Sequence, residues 1–188
     1  MTASSPMSRR VRLVAAIAIV VAIVAGAFYI ANNTHKSTSA ATYIKKGVIA
    51  EGNGRYLQAE KYYRQAIRAD KKNALAYYDL GTALQRTNHP YVASIRYKQA
   101  VALNPKLARA WYNLGVIERK INWRTANRYF RKALAVNPGF AIAKLNIGLS
   151  LVAHNFRAAG INDINLALTE NPKLIKYVPA SLRSAVHH

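Results

Sequence analysis

Four glycines, Gly47, Gly81, Gly115 and Gly148, recur along this 188-residue chain at spacings of 34, 34 and 33. A fixed period of this length constrains the fold strongly. Each copy must form the same small unit and bury its apolar side against its neighbours. Setting each glycine at position eight divides the chain into repeats 40–73, 74–107, 108–140 and 141–174. Other positions then align, with one deletion allowed in the third repeat. Position four holds Tyr43, Tyr77, Trp111 and Lys144, and position 24 holds Tyr63, Tyr97, Phe130 and Ile164. Position 27 is Ala66, Ala100, Ala133 and Ala167, and position 32 is Lys71, Pro105, Pro138 and Pro172.

The pattern predicts two helices per repeat, each of about a dozen residues, joined by a tight turn. Small residues at positions eight and 20, such as Gly81 and Ala93, allow the two helices to approach closely. Bulky residues at four and 24 fill the space beside them. Asn104-Pro105 and Asn137-Pro138 are predicted to end one helix with a left-handed Asn and to begin the next at Pro. Pro90 is placed to open the second helix of its repeat.

The third repeat reads AWYNLG, then YF, AL and NP, and the second reads AYYDLG, then Y, A and NP, at matching offsets. These residues resemble the tetratricopeptide repeat family, and the resemblance covers about 40–174. It implies an all-α, right-handed solenoid of four helix-turn-helix repeats that binds a protein or peptide in a concave groove. Residues 175–188 are expected to supply a C-terminal capping helix and tail. Two departures stand out. The third repeat lacks one residue between its helices, leaving the register open from Glu118 to Thr125, and the fourth has Gly160 for Ala and Lys144 for an aromatic.

Before the repeats, residues 13–31 form a run of 19 residues without a charge, LVAAIAIVVAIVAGAFYIA. As a helix the run would span about 28 Å, close to the roughly 30 Å hydrocarbon core of a bilayer. It is apolar on every side, unlike a helix of a soluble core. The reading is one N-terminal transmembrane helix acting as an anchor. A signal peptide cut at Ala25-Gly26-Ala27 is the competing reading. Residues 1–12 are a basic tail carrying Arg9, Arg10 and Arg12, which places the N-terminus in the cytoplasm and the repeats outside a bacterial plasma membrane. Residues 32–39, NNTHKSTS, read as a polar linker.

The net charge is +21, and from Lys36 onward 25 Lys and Arg face all 7 acids, a net +18. Such an excess attracts an anionic partner: an acidic protein, lipid headgroups or a wall polymer. Nucleic acid is disfavoured, because an outward-facing domain seldom meets it and no nucleic-acid motif is present. The absence of Cys excludes disulfides and thiolate metal sites.

By the family resemblance, groove positions fall on the first helix of each repeat. The candidate groove residues are Tyr78, Asp79, Arg109, Tyr112, Asn113, Arg119 and Asn146. Asn offers a donor and an acceptor to a peptide backbone, and Arg109 and Arg119 suit a carboxylate. On the second helices Arg64, Lys98, Arg128, Arg131 and Lys132 form a basic convex face. The primary reading is a membrane-anchored scaffold that binds a partner protein or peptide. The alternative is an electrostatic tether to an anionic membrane surface or wall polymer.

The seven acids and five His are scattered without a carboxylate pair, ligand spacing, nucleophile motif or phosphate-binding loop. The sequence therefore gives no sign of an enzyme or a cofactor, and it sets no oligomeric state. With so few acids, little stability is expected to be lost between neutral pH and about pH 3.

Overall fold

The computed structural model describes the backbone of residues 9–186 and the side chains of residues 18–28 and 39–186. The order is α1 (Arg9–Gly52), α2 (Tyr56–Ala69), α3 (Ala74–Arg86), α4 (Pro90–Leu103), α5 (Ala108–Glu118), α6 (Trp123–Val136), α7 (Ala141–Ala153) and α8 (Arg157–Glu170). A 3-10 helix (Pro172–Tyr177) and a short α9 (Ala180–Arg183) follow. The end of α1 pairs with α2, and α3 with α4, α5 with α6, and α7 with α8; each pair then packs on the next. The fold is an all-α solenoid of helical hairpins, with no strand among the described residues.

The predicted glycine contact is the centre of each hairpin. Tyr63, Tyr97, Phe130 and Ile164 are all 0–1% exposed. A Cβ added to Gly81 would stand 2.6 Å from a ring carbon of Tyr97, and one added to Gly115 would stand 2.5 Å from Phe130. In the fourth hairpin the contact is between backbones. A Cβ on Gly148 would meet the Gly160 carbonyl oxygen at 2.7 Å, so Gly160 in place of Ala is an adaptation to a closer crossing. Position 27 alanines are likewise fully buried.

The turns explain the missing residue of the third repeat. Gly54, Asn88 and Asn155 occupy equivalent positions and have φ of 72°, 62° and 68°. This left-handed residue lets a three-residue turn reverse the chain, and Gly and Asn tolerate it. The third hairpin has no such residue. Instead α5 stops after 11 residues, where α3 and α7 run for 13, and residues 119–122 make a wider turn.

Two local expectations are corrected. Asn104 and Asn137 are extended, with φ of −139° and −132°, rather than left-handed. The Asn104 side chain accepts from the Lys106 N–H at 3.0 Å, as Asp70 and Asn171 accept from Lys72 and Lys173. At Asn104 this side-chain turn replaces the left-handed conformation expected at the helix end. Pro105 and Pro138 accordingly lie in the connecting turns, and α5 and α7 begin at Ala108 and Ala141. Pro90 does open α4.

The single capping helix expected at 175–188 is also broken in two. Val178 takes an extended conformation, the bias imposed on a residue preceding proline, here Pro179. The two pieces still cover the last hairpin. Leu174, Val178, Leu182 and Val186 are buried against Leu145, Ile164 and Leu168.

At the other end, α1 runs without interruption through 32–39, where a linker was read. That stretch contains neither Pro nor Gly, and extending a helix is far cheaper than nucleating a new one. Among the described residues no helix is long and apolar enough to cross a membrane. The run 13–31 falls partly outside them, since the side chains of 13–17 and 29–31 are not described; the tail 1–8 also lies outside.

Gly148→Ala should lower stability by about 2–3 kcal/mol in urea denaturation, because the Gly160 backbone cannot move aside. Gly81→Ala should cost about half as much, since the Tyr97 ring can tilt. An equal or larger loss at Gly81 would show that the backbone crossing is not the tighter contact.

Candidate functional site

The groove is organised by what position 12, at the end of each first helix, has to bond. In the first repeat Glu51 accepts from the Tyr63 hydroxyl at 2.9 Å. In the second, Gln85 accepts from the Tyr97 hydroxyl at 2.5 Å. Both tyrosines are buried rings whose hydroxyls need a partner, and the groove residue supplies it. Burial pushes both phenols above their ordinary range.

The third repeat breaks this arrangement. Phe130 has no hydroxyl, so Arg119 is not held by its own hairpin. It reaches across to the fourth repeat and donates to Asn146 Oδ1 at 3.2 Å. The Asn146 amide donates to the Ile142 carbonyl at 2.8 Å and approaches the Tyr112 hydroxyl at 3.4 Å. Tyr112 is wedged between the rings of Phe130 and Phe140, with centroids at 5.6 Å and 5.1 Å. Burial raises its phenol pKa, partly offset by Asn146 and Arg119. A cleft of about 380 Å³ opens here, lined by Tyr112, Val116, Arg119, Ile142, Leu145, Asn146, Leu149 and Tyr177.

The groove candidates therefore divide. Tyr112, Arg119 and Asn146 come together around this cleft. Asn113 lies near the Tyr97 hydroxyl one repeat earlier and partly offsets the rise that burial causes in its pKa. Tyr78 packs its ring on Tyr97 at 5.8 Å. Asp79 lies near Glu51, giving the first two repeats a local acidic character. Arg109 is exposed on the first turn of α5 and does not line the cleft. Sequence reasoning missed Tyr177. It enters from the 3-10 helix, whose position depends on the break at Val178-Pro179 and has no repeat register.

The convex cations divide too. Arg64 is 2.7 Å from Glu60, which also accepts from the Thr87 hydroxyl at 2.6 Å. Arg131 faces Asp163. Lys98, Arg128 and Lys132 instead border one cleft of about 360 Å³ with Trp111 and Tyr129. A further hollow of about 520 Å³ lies beside the widened third turn, with Tyr91 and Ile121 largely exposed at its edge.

A family model described as tetratricopeptide repeat matches residues 44–93 and 78–122. The crystal structure of MamA is 27% identical over 74% of this chain and 82% of its own, with a TM-score of 0.67. YrrB, a TPR protein with an unusual peptide-binding site, is 24% identical over 74% of this chain and 72% of its own, at a TM-score of 0.63. The first TPR of Spaghetti (RPAP3), bound to the HSP90 peptide SRMEEVD, is 22% identical over 63% of this chain and 95% of its own, at 0.60. No curated protein matches.

Asp79 gives this groove a pH dependence. Burial, and then the Glu51 charge, push its carboxyl from 3.8 up to about 7. A carboxyl whose folded pKa is raised binds its proton more tightly in the native state, so stability rises as pH falls from above 7 toward 4. Acidification from pH 8 to pH 5 should stabilise the fold by about 1–2 kcal/mol, and Asp79→Asn should remove most of that gain. Chemical denaturation at the two pH values checks it; a loss of stability on acidification would contradict the assignment. The sequence led to an expectation of little loss on acidification, and the raised Asp79 carboxyl predicts a gain in this window.

The family-model match spans the first two repeats and the first helix of the third, and the solved structures share the architecture of stacked helical hairpins.

Proposed function

We propose that this solenoid is a protein-binding scaffold that holds an extended segment of a partner polypeptide along its first helices. The observation that carries the reading is the cluster of Arg119, Asn146 and Tyr112 in an open cleft. Arg119 is exposed, and its one bond to Asn146 leaves guanidinium donors for a carboxylate. The apolar wall of Val116, Ile142, Leu145 and Leu149 suits an adjoining aliphatic or aromatic side chain. A partner with an acidic side chain or a terminal carboxylate fits both, and the net +18 of the domain favours its approach. YrrB and the first TPR of Spaghetti, which share the fold, are a TPR protein with a peptide-binding site and a domain bound to a peptide.

The reading includes an N-terminal membrane anchor, with the N-terminus in the cytoplasm and the repeats outside a bacterial plasma membrane. Its support is the uncharged run 13–31, together with the surface of α1 between 18 and 28. Ile19, Val20, Val21, Ile23, Val24 and Phe28 are each between 59% and 72% exposed, and three are consecutive, so the apolar surface circles the helix. A helix apolar on all sides suits lipid better than water.

A photo-crosslinking amino acid at Leu149, in native membranes, tests the scaffold. Arg119→Ala with Asn146→Ala should reduce capture of the partner about tenfold or more, while replacing Lys98, Arg128 and Lys132 by Gln should leave it within about twofold. Capture that survives the groove variant and disappears with the basic one would favour the electrostatic tether instead. For the anchor, alkaline carbonate should leave the full chain in the membrane fraction and extract a chain lacking residues 9–31.

A further inference from the structure

Three cations of the second helices, Lys98, Arg128 and Lys132, line one cleft without an acid, and the repeat register brings them there. At the junction of the first and second repeats, Arg64 is paired with Glu60, and positions 22 and 26 of the second repeat are Ile95 and Gln99. Gln99 already accepts from Arg96 at 2.8 Å. At the junction of the third and fourth repeats, Asp163 stands at position 23 and faces both Arg131 and Lys144, while Lys144 also pairs with Glu170. At each outer junction at least one acid therefore faces the cations of the second helices.

The middle junction is different. Lys98 comes from α4, and Arg128 and Lys132 occupy positions 22 and 26 on α6. Position 23, acidic in the fourth repeat, is Tyr129. No acid lines the cleft, and among the described residues none of the three cations is in an ion pair. The floor is aromatic. Trp111 and Tyr129 stack with centroids 5.9 Å apart and an interplanar angle of 23°. The Lys132 ammonium lies 4.3 Å from the Trp111 centroid, and the indole N–H is anchored to the Pro105 carbonyl at 2.9 Å. This fixes the ring and holds one cation over it.

We propose that this cleft binds a phosphate ester. Three cationic arms from two helices suit a tetrahedral anion with several acceptor oxygens, whereas a planar carboxylate presents two oxygens and is met by one guanidinium. The Trp111–Tyr129 floor offers an apolar contact for the glycerol or sugar that the phosphate esterifies, and about 360 Å³ holds such a group. The proposal depends on neither the peptide groove nor the anchor. A phospholipid headgroup and a soluble phosphate ester share this chemistry.

The test uses the full chain in detergent micelles, with ¹⁵N-labelled indoles. The chain has two Trp, so Trp123 serves as an internal control. Titration with glycerol 3-phosphate should shift the Trp111 indole signal saturably and leave that of Trp123 in place. Replacing Lys98, Arg128 and Lys132 by Gln should weaken binding at least tenfold. Replacing the exposed Lys71, Lys72 and Lys106 by Gln, an equal loss of charge, should change it less than twofold. All six side chains are exposed, and equal melting temperatures will show that each variant folds. Micelles doped with phosphatidylglycerol or with zwitterionic phosphatidylcholine separate the sources. Tighter binding in the first than to glycerol 3-phosphate assigns a headgroup, and equal binding assigns a soluble ester. An unchanged response in the Lys98/Arg128/Lys132 variant, the same shift with sodium chloride at matched ionic strength, or equally tight binding of hexaglutamate would each overturn the proposal.

Discussion

The close approach of the two helices within each hairpin is the contact on which the stack depends. It requires a residue without a side chain on one helix and a large group on the other. Where an aromatic ring fills the crossing, as at Gly81 with Tyr97 or Gly115 with Phe130, the ring covers the glycine. Where the ring is replaced by Ile164, a second glycine brings the backbones themselves together. Both solutions keep the period of the solenoid, because each preserves the spacing at which the next hairpin can dock.

The same crossing reaches the surface through the ring that fills it. A tyrosine there carries a hydroxyl that must be bonded, and the partner comes from the last turn of the first helix. In two hairpins this ties up a groove residue. Phenylalanine in the third removes the demand and leaves Arg119 available to the neighbouring repeat. The change of one oxygen atom between Tyr97 and Phe130 thus separates a structural end of the groove from an open one. On the second helices Glu60 pairs with Arg64 and Asp163 faces Arg131, whereas no acid lines the cleft of Lys98, Arg128 and Lys132.

Much of this was legible from the repeats because a registered position reports a local geometry. The buried status of position 24, the opening of α4 at Pro90 and the all-α architecture follow from residue type and spacing. The failures share a cause. Asn104 and Asn137 do end α4 and α6, but in an extended rather than a left-handed conformation; at Asn104 a side-chain turn to the N–H two residues on competes successfully with the left-handed one. Asn88 and Asn155 adopt that conformation instead, because the tight reversal within a hairpin demands it. Residues 32–39 looked like a linker by composition, yet nothing in them breaks a helix already propagating from both sides.

The sequence by itself determined the number of hairpins, the residues at each crossing, the excess of positive charge and the uncharged run that precedes the repeats. These depend on period, residue size and count, which need no coordinates. Only the tertiary structure decided which polar groups are spent on the fold and which remain for a ligand. Arg119 and Asn146 lie in different repeats, and only the packing of the third hairpin on the fourth brings them together at an open cleft. Tyr177 joins that cleft from outside the repeat register. Pairing is a property of distance in space, so residues from different helices had to be brought together before their function could be read.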